Sequence, residues 1–335
     1  MSSTIRDVAA YCGCSVGTIS NYLNGKTIRE KNRIKIETAI DVLHFKPNTI
    51  AKGMRNRQSY TIAVLMPYLT NTFCSTVVSE IEKYVTPLGY SVILCGCDGS
   101  PDLEAKKIRF LINRNVDGII LMPSANFSKA PALCKENGIP LVLIDQLLEQ
   151  EDCDIVLIDN EQAGYVPTRY LLENGHRDIA IMIGPETHYT AVKRLEGYQK
   201  ALSEFKVPFR PSLVMHSDYT ELGGNQCFLD TWNTLPITPT AFLATNYDST
   251  LGCYMAAQQL HLSIPDSLSY IGFDILPLTQ LLVPSLALVA QPHSSIAISA
   301  ARLLYSRIQG TDSSEEIRKI ILPITFREGN SVKKI

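Results

Sequence analysis

The sequence predicts a small all-α head followed by an α/β body built from two doubly wound, parallel-sheet lobes. Helical apolar spacing dominates residues 4–44, and strand-length and helix-length apolar segments alternate after Ser59. The alternation begins again after Asp154. Because 335 residues exceed what one hydrophobic core usually holds, we expect separate domains.

The head begins with a short helix and a tight turn. Thr4 is placed to cap the helix, and Ile5, Val8 and Ala9 give it one apolar face. Gly13 then occupies the position where the turn needs a residue that tolerates positive φ. This segment therefore predicts a first helix that ends near residue 11.

A second helix follows the turn closely. Ser15 caps it, and Ile19, Ser20 and Leu23 form its buried side before it ends at residues 24–25. A third helix is predicted over residues 30–44, because its apolar residues follow the i, i+3, i+4, i+7 spacing. The first two helices and their turn have the pattern of a helix-turn-helix.

The second helix leaves Val16, Gly17 and Asn21 on its outer side, near the end that such motifs present to base edges. The alternative is an ordinary small helical bundle packed on the body. Charge argues against it, because residues 1–60 hold ten Lys or Arg and four acidic residues. The other 275 residues hold 21 basic and 29 acidic residues. A basic head on an acidic body favours DNA binding, with two heads on one palindromic site.

Residues 46–55 read KPNTIAKGMR and form a candidate second DNA-reading element. This segment can fold into a short helix in the minor groove, and we expect it to fold only on DNA. The alternative for the apolar Met54 is a surface position on a disordered linker. The two readings are compatible.

The remaining composition predicts a cytoplasmic protein with no membrane partner. The start is polar, and no apolar run approaches the length of a membrane span. Nine cysteines without a secretion signal indicate reduced thiols. The pairs Cys12/Cys14 and Cys95/Cys97 have a spacing that is poor for structural zinc, so we expect no metal.

The body alternates strands with helices. Strands are predicted at residues 61–66, 90–95, 118–122, 141–144, 155–158, 179–183, 213–215, 240–244 and 268–272. Helices are predicted at residues 72–88, 102–115, 130–137, 161–173, 190–205 and 249–261. Two parallel sheets in series offer a cleft at the carboxyl ends of their strands, where a small molecule can be clamped.

Enzyme signatures are absent from the sequence. It holds no phosphate-binding GxxxxGK[ST] loop, no G-x-G-x-x-G after a strand, no H-E-x-x-H spacing and no GxSxG elbow. We therefore predict neither catalytic residues nor a cofactor.

In these motifs the chain resembles the LacI/GalR family of repressors over its full length. The matching stretches are TIRDVAAYCGCSVGTISNYLNG, KPNTIAKGMR, DGIILMPS, IVLIDNEQAG, LLENGHRDIAIMIGP, KRLEGYQKAL, PDSLSYIGFD and the late Gln291-Pro292. The resemblance implies a helix-turn-helix domain at 1–46, a hinge at 47–59 and an effector and dimerisation domain at 60–335. The effector and dimerisation domain would resemble periplasmic binding proteins and consist of two lobes. The first lobe would contain about residues 60–159 and 292–321, and the second about residues 160–291 and 322–335.

The resemblance also implies a set of DNA contacts. They are Thr4, Ser15, Val16, Gly17, Thr18, Asn21, Asn24, Lys26, Asn48, Ile50, Ala51, Met54 and Arg55. Most family members have Arg at the position of Asn21. An arginine that can form two hydrogen bonds with guanine is thus replaced by an amide that favours adenine. Met54 stands where the family usually has the Leu that wedges into a base step, and methionine can take that place.

Effector contacts implied by the resemblance are Asn71, Phe73, Asp145, Arg194, Tyr219, Asn246, Asp274 and Gln291. Carboxylates, amides, a guanidinium and an aromatic ring suit a sugar or sugar phosphate, ahead of a nucleobase. This chain departs from the family at Gln146 and Ala290, which replace arginines, and at Tyr247, which replaces an aspartate. The cleft is thus expected to have lost charge at its edges.

The implied mechanism is a homodimer on a pseudo-palindromic operator, with a small molecule shifting the lobes and hinges. The sequence leaves open whether the ligand releases or promotes DNA binding. It also leaves two alternatives. One is a protein corepressor bound through Lys106, Lys107 and Arg109, which are more simply a solvated helix face. The other is a sugar-binding protein without a DNA role.

Overall fold

A computed structural model describes residues 3–23, 26–45, 58–125, 127–148, 153–275, 277–311 and 316–335. The chain divides into two compact units, Met1–Ser59 and Tyr60–Ile335, which we call the head and the body. Across the described residues, every helix falls short of the length and apolarity that crossing a bilayer requires.

The head contains the three predicted helices, α1 (Ile5–Cys12), α2 (Val16–Leu23) and α3 (Glu30–Val42). Thr4 caps α1 in a reciprocal capping box with Asp7. Gly13 ends α1 with φ 65°, as the turn required. The core of the head consists of Val8, Cys12, Ile19, Ile36, Ala39 and Phe45.

Two head predictions need adjustment. Of the three residues predicted to be buried on α2, only Ile19 is fully buried, while Ser20 and Leu23 are partly exposed. Helix α3 ends at Val42, two residues earlier than predicted, because His44 adopts the left-handed conformation with φ 47°.

The body has twelve strands and eight α-helices in the described residues. The strands are β1 (Thr61–Met66), β2 (Ser91–Gly96), β3 (Gly118–Leu121), β4 (Leu141–Ile144), β5 (Asp154–Ile158), β6 (Ile179–Ile183), β7 (Val214–His216), β8 (Ala241–Ala244), β9 (Ser269–Phe273), β10 (Ala287–Ala290), β11 (Lys319–Leu322) and β12 (Thr325–Arg327). The helices are α4 (Thr72–Val85), α5 (Pro101–Asn113), α6 (Ala130–Glu136), α7 (Asn160–Glu173), α8 (Tyr189–Glu204), α9 (Glu221–Trp232), α10 (Tyr247–Gln259) and α11 (His293–Ile308).

These strands form two six-stranded sheets. The first has the order β11-β5-β4-β3-β1-β2 and the second β12-β10-β9-β8-β6-β7. The first sheet with the helices that pack on it is called lobe 1, and the second sheet with its helices is called lobe 2. All strand pairs are parallel except β10 with β12. The predicted doubly wound fold is confirmed, with one antiparallel edge added to the second sheet.

The chain crosses between the lobes three times, after β5, after β10 and between β11 and β12. Helix α11 therefore follows a lobe 2 strand but packs on α4 and on β3, β4 and β5 of lobe 1. The sequence patterns did not identify α9, α11 or the last three strands as elements. The three strands have only three or four residues each, too few for a clear alternation, whereas α11 has apolar residues at helical spacing that could have indicated it.

Candidate functional site

A cavity of about 790 Å³ opens between the two lobes of the body. The carboxyl ends of parallel strands line it, with Asp145 directly after β4 and Asp274 directly after β9. The structure places all eight residues of the predicted effector set around this cavity: Asn71, Phe73, Asp145, Arg194, Tyr219, Asn246, Asp274 and Gln291. Its size is that of a pocket for a small molecule.

Three of these residues have left-handed backbone conformations. Asp145, Tyr219 and Asp274 have φ values of 65°, 64° and 66°. Aspartate tolerates this region, but it is unfavourable for a bulky aromatic residue, so the surroundings must hold Tyr219 in place. Gly184 is part of those surroundings, because a Cβ at that position would overlap the Tyr219 ring.

Arg194 is buried on lobe 2, with 3% of its surface exposed. Its Nε donates to Asn160 Oδ1 over 2.9 Å, and its Nη1 donates to the carbonyl oxygen of Thr245. The guanidinium lies 4.4 Å from the centre of the Phe273 ring. Arg194 is thus fixed within lobe 2, and it forms no ion pair with lobe 1 among the described residues.

Two glycines bring the backbone of Arg194 to this position. Helices α7 and α8 pack closely, and a Cβ on Gly164 would overlap the main chain of Arg194. Likewise, a Cβ on Gly197 would overlap the carbonyl group of Glu161. The family motif indicates Arg194 but not these glycines, because the spacing of glycines on separate helices has a meaning only once it is known which helices pack together.

Asp274 connects β9 with the crossover that follows β10. Its carboxylate accepts hydrogen bonds from Gln291 Nε2 at 3.0 Å and from His293 Nε2 at 3.1 Å. The His293 ring in turn meets the edge of Phe73, with ring centres 5.4 Å apart. His293 was not predicted as a site residue, although it follows Gln291 by only two positions.

Besides the contact of His293 with Asp274, two further hydrogen bonds between described residues join the lobes at the cavity. Asn71 Nδ2 of lobe 1 donates to Asp248 Oδ2 of lobe 2 over 2.6 Å. His188 Nε2 of lobe 2 donates to the carbonyl oxygen of Ser124 on lobe 1 over 3.2 Å. The Asn71 side chain also caps α4 through Cys74 N. Asn71 is therefore engaged at both ends of its amide.

Burial shifts the pKa values of the groups at this junction. It raises the pKa of Asp248 to about 6, with the charges of Glu221 and Asp274 adding to the rise and the Asn71 hydrogen bond opposing it. Burial also raises the pKa of Asp145 and lowers that of His188. Asp248 is not among the predicted effector contacts, and the cleft was expected to have lost charge at its edges. The structure shows instead that this carboxylate faces the cavity.

Three buried polar atoms at the cavity have no hydrogen-bond partner among the described residues. They are Gln146 Oε1, Tyr219 Oη and Gln291 Oε1. Buried polar groups are rarely left unpaired, so their convergence on one cavity indicates a place where a polar ligand binds. In the described part of the chain, no group of three His, Cys, Asp or Glu side chains is arranged to hold a metal ion.

The predicted DNA contacts fall partly within the described head. Val16, Gly17 and Asn21 are exposed on α2, as are Thr4, Ser15 and Lys26 elsewhere in the head, while Thr18 is half-buried. Thr4 and Ser15 also cap α1 and α2. The predicted contacts Asn24, Asn48, Ile50, Ala51, Met54 and Arg55 lie outside the described residues.

Two family models match the chain. One, described as bacterial regulatory proteins of the lacI family, covers residues 4–48. The other, described as periplasmic binding proteins and sugar binding domain of the LacI family, covers residues 59–329. Together they span the head and the body.

Among individual proteins, the chain is 30% identical to the HTH-type transcriptional repressor PurR of Vibrio campbellii, with 99% of each protein covered. It is 31% identical to the catabolite control protein A of Priestia megaterium, with 94% of this chain and 96% of that protein covered.

Solved structures show the same fold. A LacI family transcriptional regulator from Enterococcus faecium with bound ribose is 29% identical, with a TM-score of 0.73 over 82% of this chain and 99% of that one. The lac repressor dimer bound to operator and the anti-inducer ONPF is 23% identical and matches in fold, with a TM-score of 0.86 over 99% of this chain and 100% of that one.

Proposed function

This chain belongs to the LacI family and is an effector-controlled, DNA-binding transcriptional regulator. On this basis we propose a function for each part of the chain. The exposed face of α2 reads an operator, and the interlobe cavity binds a sugar-sized polar effector. Two chains pair through their bodies to present two heads. A DNA role also separates the chain from periplasmic sugar-binding proteins that share only the body.

The cavity is the observation that carries the effector proposal. Both lobes contribute to it, and three unpaired buried polar atoms border it. A ligand that hydrogen-bonds to both lobes stabilises one relative arrangement of them, and this is how binding in a cleft is coupled to a distant element.

Pairing of two bodies is supported by exposed apolar side chains around α10. Met255 lies on that helix, and Val283 is beside it because Tyr254 Oη donates to the Val283 carbonyl. Leu278, Leu281 and Val283 are 52%, 74% and 82% exposed. Large apolar side chains clustered at a surface favour burial against another protein surface. The lac repressor neighbour is a dimer by its description.

For DNA, the exposed amide of Asn21 is the group we expect to determine operator specificity. An Asn side chain can form two hydrogen bonds with adenine in the major groove. The basic trio Lys106, Lys107 and Arg109 lies on α5, where Lys106 and Arg109 are exposed. That arrangement is a solvated helix face and adds no support for a protein corepressor.

Selection from sheared genomic DNA tests the DNA part of this proposal. Purified protein without ligand should retain fragments that share one pseudo-palindrome. The Asn21→Ala variant should bind that site about 10-fold to 100-fold more weakly, as expected for losing a bidentate base contact, and retain its affinity for unrelated DNA. An equal loss on both DNAs would assign Asn21 to general binding, and no enriched site would contradict specific recognition in the unliganded state.

A further inference from the structure

The lining of the interlobe cavity is strongly acidic. Its charged side chains among the described residues are the carboxylates of Asp145, Asp218, Glu221, Asp248 and Asp274 and a single guanidinium, that of Arg194. His188 also borders the cavity, and burial lowers its pKa, which favours the neutral ring. The cavity lining therefore has an excess of negative charge. Because the cavity is partly shielded from bulk water, charges interact more strongly there than at the protein surface.

The one guanidinium does not neutralise these carboxylates by direct contact. Arg194 donates to Asn160 and Thr245 and stacks on Phe273. Within the described residues, no hydrogen bond reaches the side chain of Asp145. Burial raises the pKa of Asp145, the charge of Arg194 opposes that rise without direct contact, and the charge of Asp274 adds to it. A carboxylate that faces a cavity in this state gains most from a ligand that brings a positive charge.

Hydrogen-bonding groups in the cavity show the same imbalance. The amide nitrogens of Asn71, Asn246 and Gln291 donate to Asp248, to the Tyr219 carbonyl and to Asp274. In contrast, the amide oxygens of Gln146 and Gln291 are buried and unpaired. These three amide nitrogens are thus used within the protein, while the two amide oxygens, together with the Tyr219 hydroxyl, are left for the ligand.

We propose that the effector is a polyhydroxylated amine, such as an amino sugar, whose ammonium group binds between the carboxylates of lobe 1 and lobe 2 at Asp145, Asp248 and Asp274. This inference rests on the proposed effector role of the cavity and narrows its ligand class. The hydroxyl groups donate to the unpaired amide oxygens. Because Asp145 belongs to lobe 1 and the other two belong to lobe 2, one ammonium group holds both lobes together.

Other ligand classes fit this lining less well. A sugar phosphate would add about two negative charges to a lining that, among the described residues, already holds five carboxylates and one guanidinium, whose Nε and Nη1 donate to Asn160 and Thr245. A neutral sugar would satisfy the amide oxygens, but it would displace water from the carboxylates without supplying a countercharge. The loss of arginine at Gln146, seen in the sequence, is consistent with a ligand that has no anionic group.

The test is a matched ligand panel measured on the full chain. Glucose, galactose and mannose would each be supplied as the free sugar, the 2-amino sugar, the N-acetylated amino sugar and the 6-phosphate. We expect at least one amino sugar to raise the Tm and to bind about tenfold more tightly by calorimetry than its neutral counterparts, since a charge-assisted hydrogen bond is lost on acetylation. Tighter binding of a neutral or phosphorylated member, or no response to any amino sugar, would overturn the proposal.

Charge-neutralising variants locate the amine. Asp145→Asn should weaken binding of the amino sugar about tenfold, with little effect on binding of the neutral sugar. Asp218→Asn is the matched control, because its carboxylate accepts hydrogen bonds from Thr220 in a local turn and borders the same cavity. It should change amine binding much less. Equal effects of the two variants would contradict placement of the ammonium at Asp145.

Operator binding separates this inference from the proposed function. If an amino sugar binds but the affinity for the selected operator stays the same with and without it, the effector role of the cavity fails and the ligand class stands. If operator binding responds to a neutral or phosphorylated sugar only, the effector role stands and the amine is rejected.

Discussion

At the scale of single residues, the cavity depends on side chains that the protein itself holds in place. Arg194 is fixed by two acceptors and by the Phe273 ring, and Asp274 is fixed by Gln291 and His293. Such fixed groups lose little entropy on binding a ligand, which is the usual benefit of a preorganised site. Their substitution should therefore affect both folding and binding.

Substitution of Arg194 by lysine tests how much the contacts of this side chain contribute to the stability of lobe 2. A single ammonium cannot reach both Asn160 and the Thr245 carbonyl and stack on Phe273, so at least one buried acceptor stays unpaired. We expect the free energy of unfolding to fall by about 2 kcal/mol. Urea titration can follow the single tryptophan, Trp232, which is buried in lobe 2.

The control is Arg169→Lys, an exposed arginine on α7 that pairs with Glu173. It should leave the urea midpoint unchanged, because exposed ion pairs contribute little to stability. A midpoint for Arg194→Lys equal to that of the native chain would show that lysine satisfies the same acceptors.

The raised pKa of Asp248 predicts a pH dependence of stability. Because its pKa is about 6 in the folded chain and near 4 when unfolded, its protonated form favours folding. That contribution is complete below pH 4 and is lost as the pH rises through 6. The Asp248→Asn side chain cannot ionise but can still accept from Asn71. Between pH 4 and pH 7, the free energy of unfolding should therefore fall by roughly 2 kcal/mol less in this variant than in the native chain.

Urea unfolding of lobe 2 at several pH values measures this difference. Asp266→Asn, at an exposed position of the same lobe, is the matched control and should follow the native profile. Parallel profiles for the native chain and Asp248→Asn would exclude Asp248 as the source.

At the scale of elements, close helix packing decides where the site residues lie. Helices α7 and α8 approach through Gly164 and Gly197, and α9 and α10 approach through Gly224 and Gly252. In each pair, a methyl group would meet the backbone of the neighbouring helix. One pair carries Arg194, and the other carries Asp248, so glycine packing sets the width of the lobe 2 side of the cavity.

Gly197→Ala tests this dependence. The added Cβ would overlap the carbonyl group of Glu161 and approach Tyr165 N at 2.7 Å, so the two helices must separate. We expect a loss of about 1–3 kcal/mol in the free energy of unfolding, as for other overpacked interiors, together with weaker ligand binding. Ser203→Ala, at an exposed position on the same helix, should change neither property. An unchanged Gly197→Ala protein would mean that the helices yield without cost.

At the scale of the whole molecule, the proposed pairing of two bodies connects the surface around α10 to DNA binding. Val283→Asp places a charge at the most exposed of the apolar residues there. We expect sedimentation to show a shift from dimer to monomer, because a charge would be desolvated in the interface. Affinity for a two-site operator should then fall more than about tenfold, since two linked heads bind far more tightly than one.

Val192→Asp is the control for this experiment. Val192 is a 40% exposed valine on α8. It should remain dimeric and bind the operator normally. A dimeric Val283→Asp protein would place the pairing surface elsewhere.

The sequence alone determined the class of protein and the order of its parts. Capping by Thr4 and Ser15, the turn at Gly13 and the apolar spacing of the head are local features, so neighbouring residues define them. Buried parallel strands read as continuous apolar runs, which is why most of the body could also be predicted. The eight predicted effector residues came from motif resemblance, and three of them, Asp145, Asp274 and Gln291, directly follow a strand, where polar residues interrupt those runs.

Only the tertiary structure decided how these residues interact. The Asn71–Asp248 hydrogen bond joins residues 177 positions apart, and the glycine contacts behind Arg194 join separate helices. The charge of the cavity is likewise a sum over loops that are distant in the sequence. Local sequence patterns cannot predict such pairings. The burial, the hydrogen-bond partners and the pKa of a side chain depend on which strand ends the fold brings together.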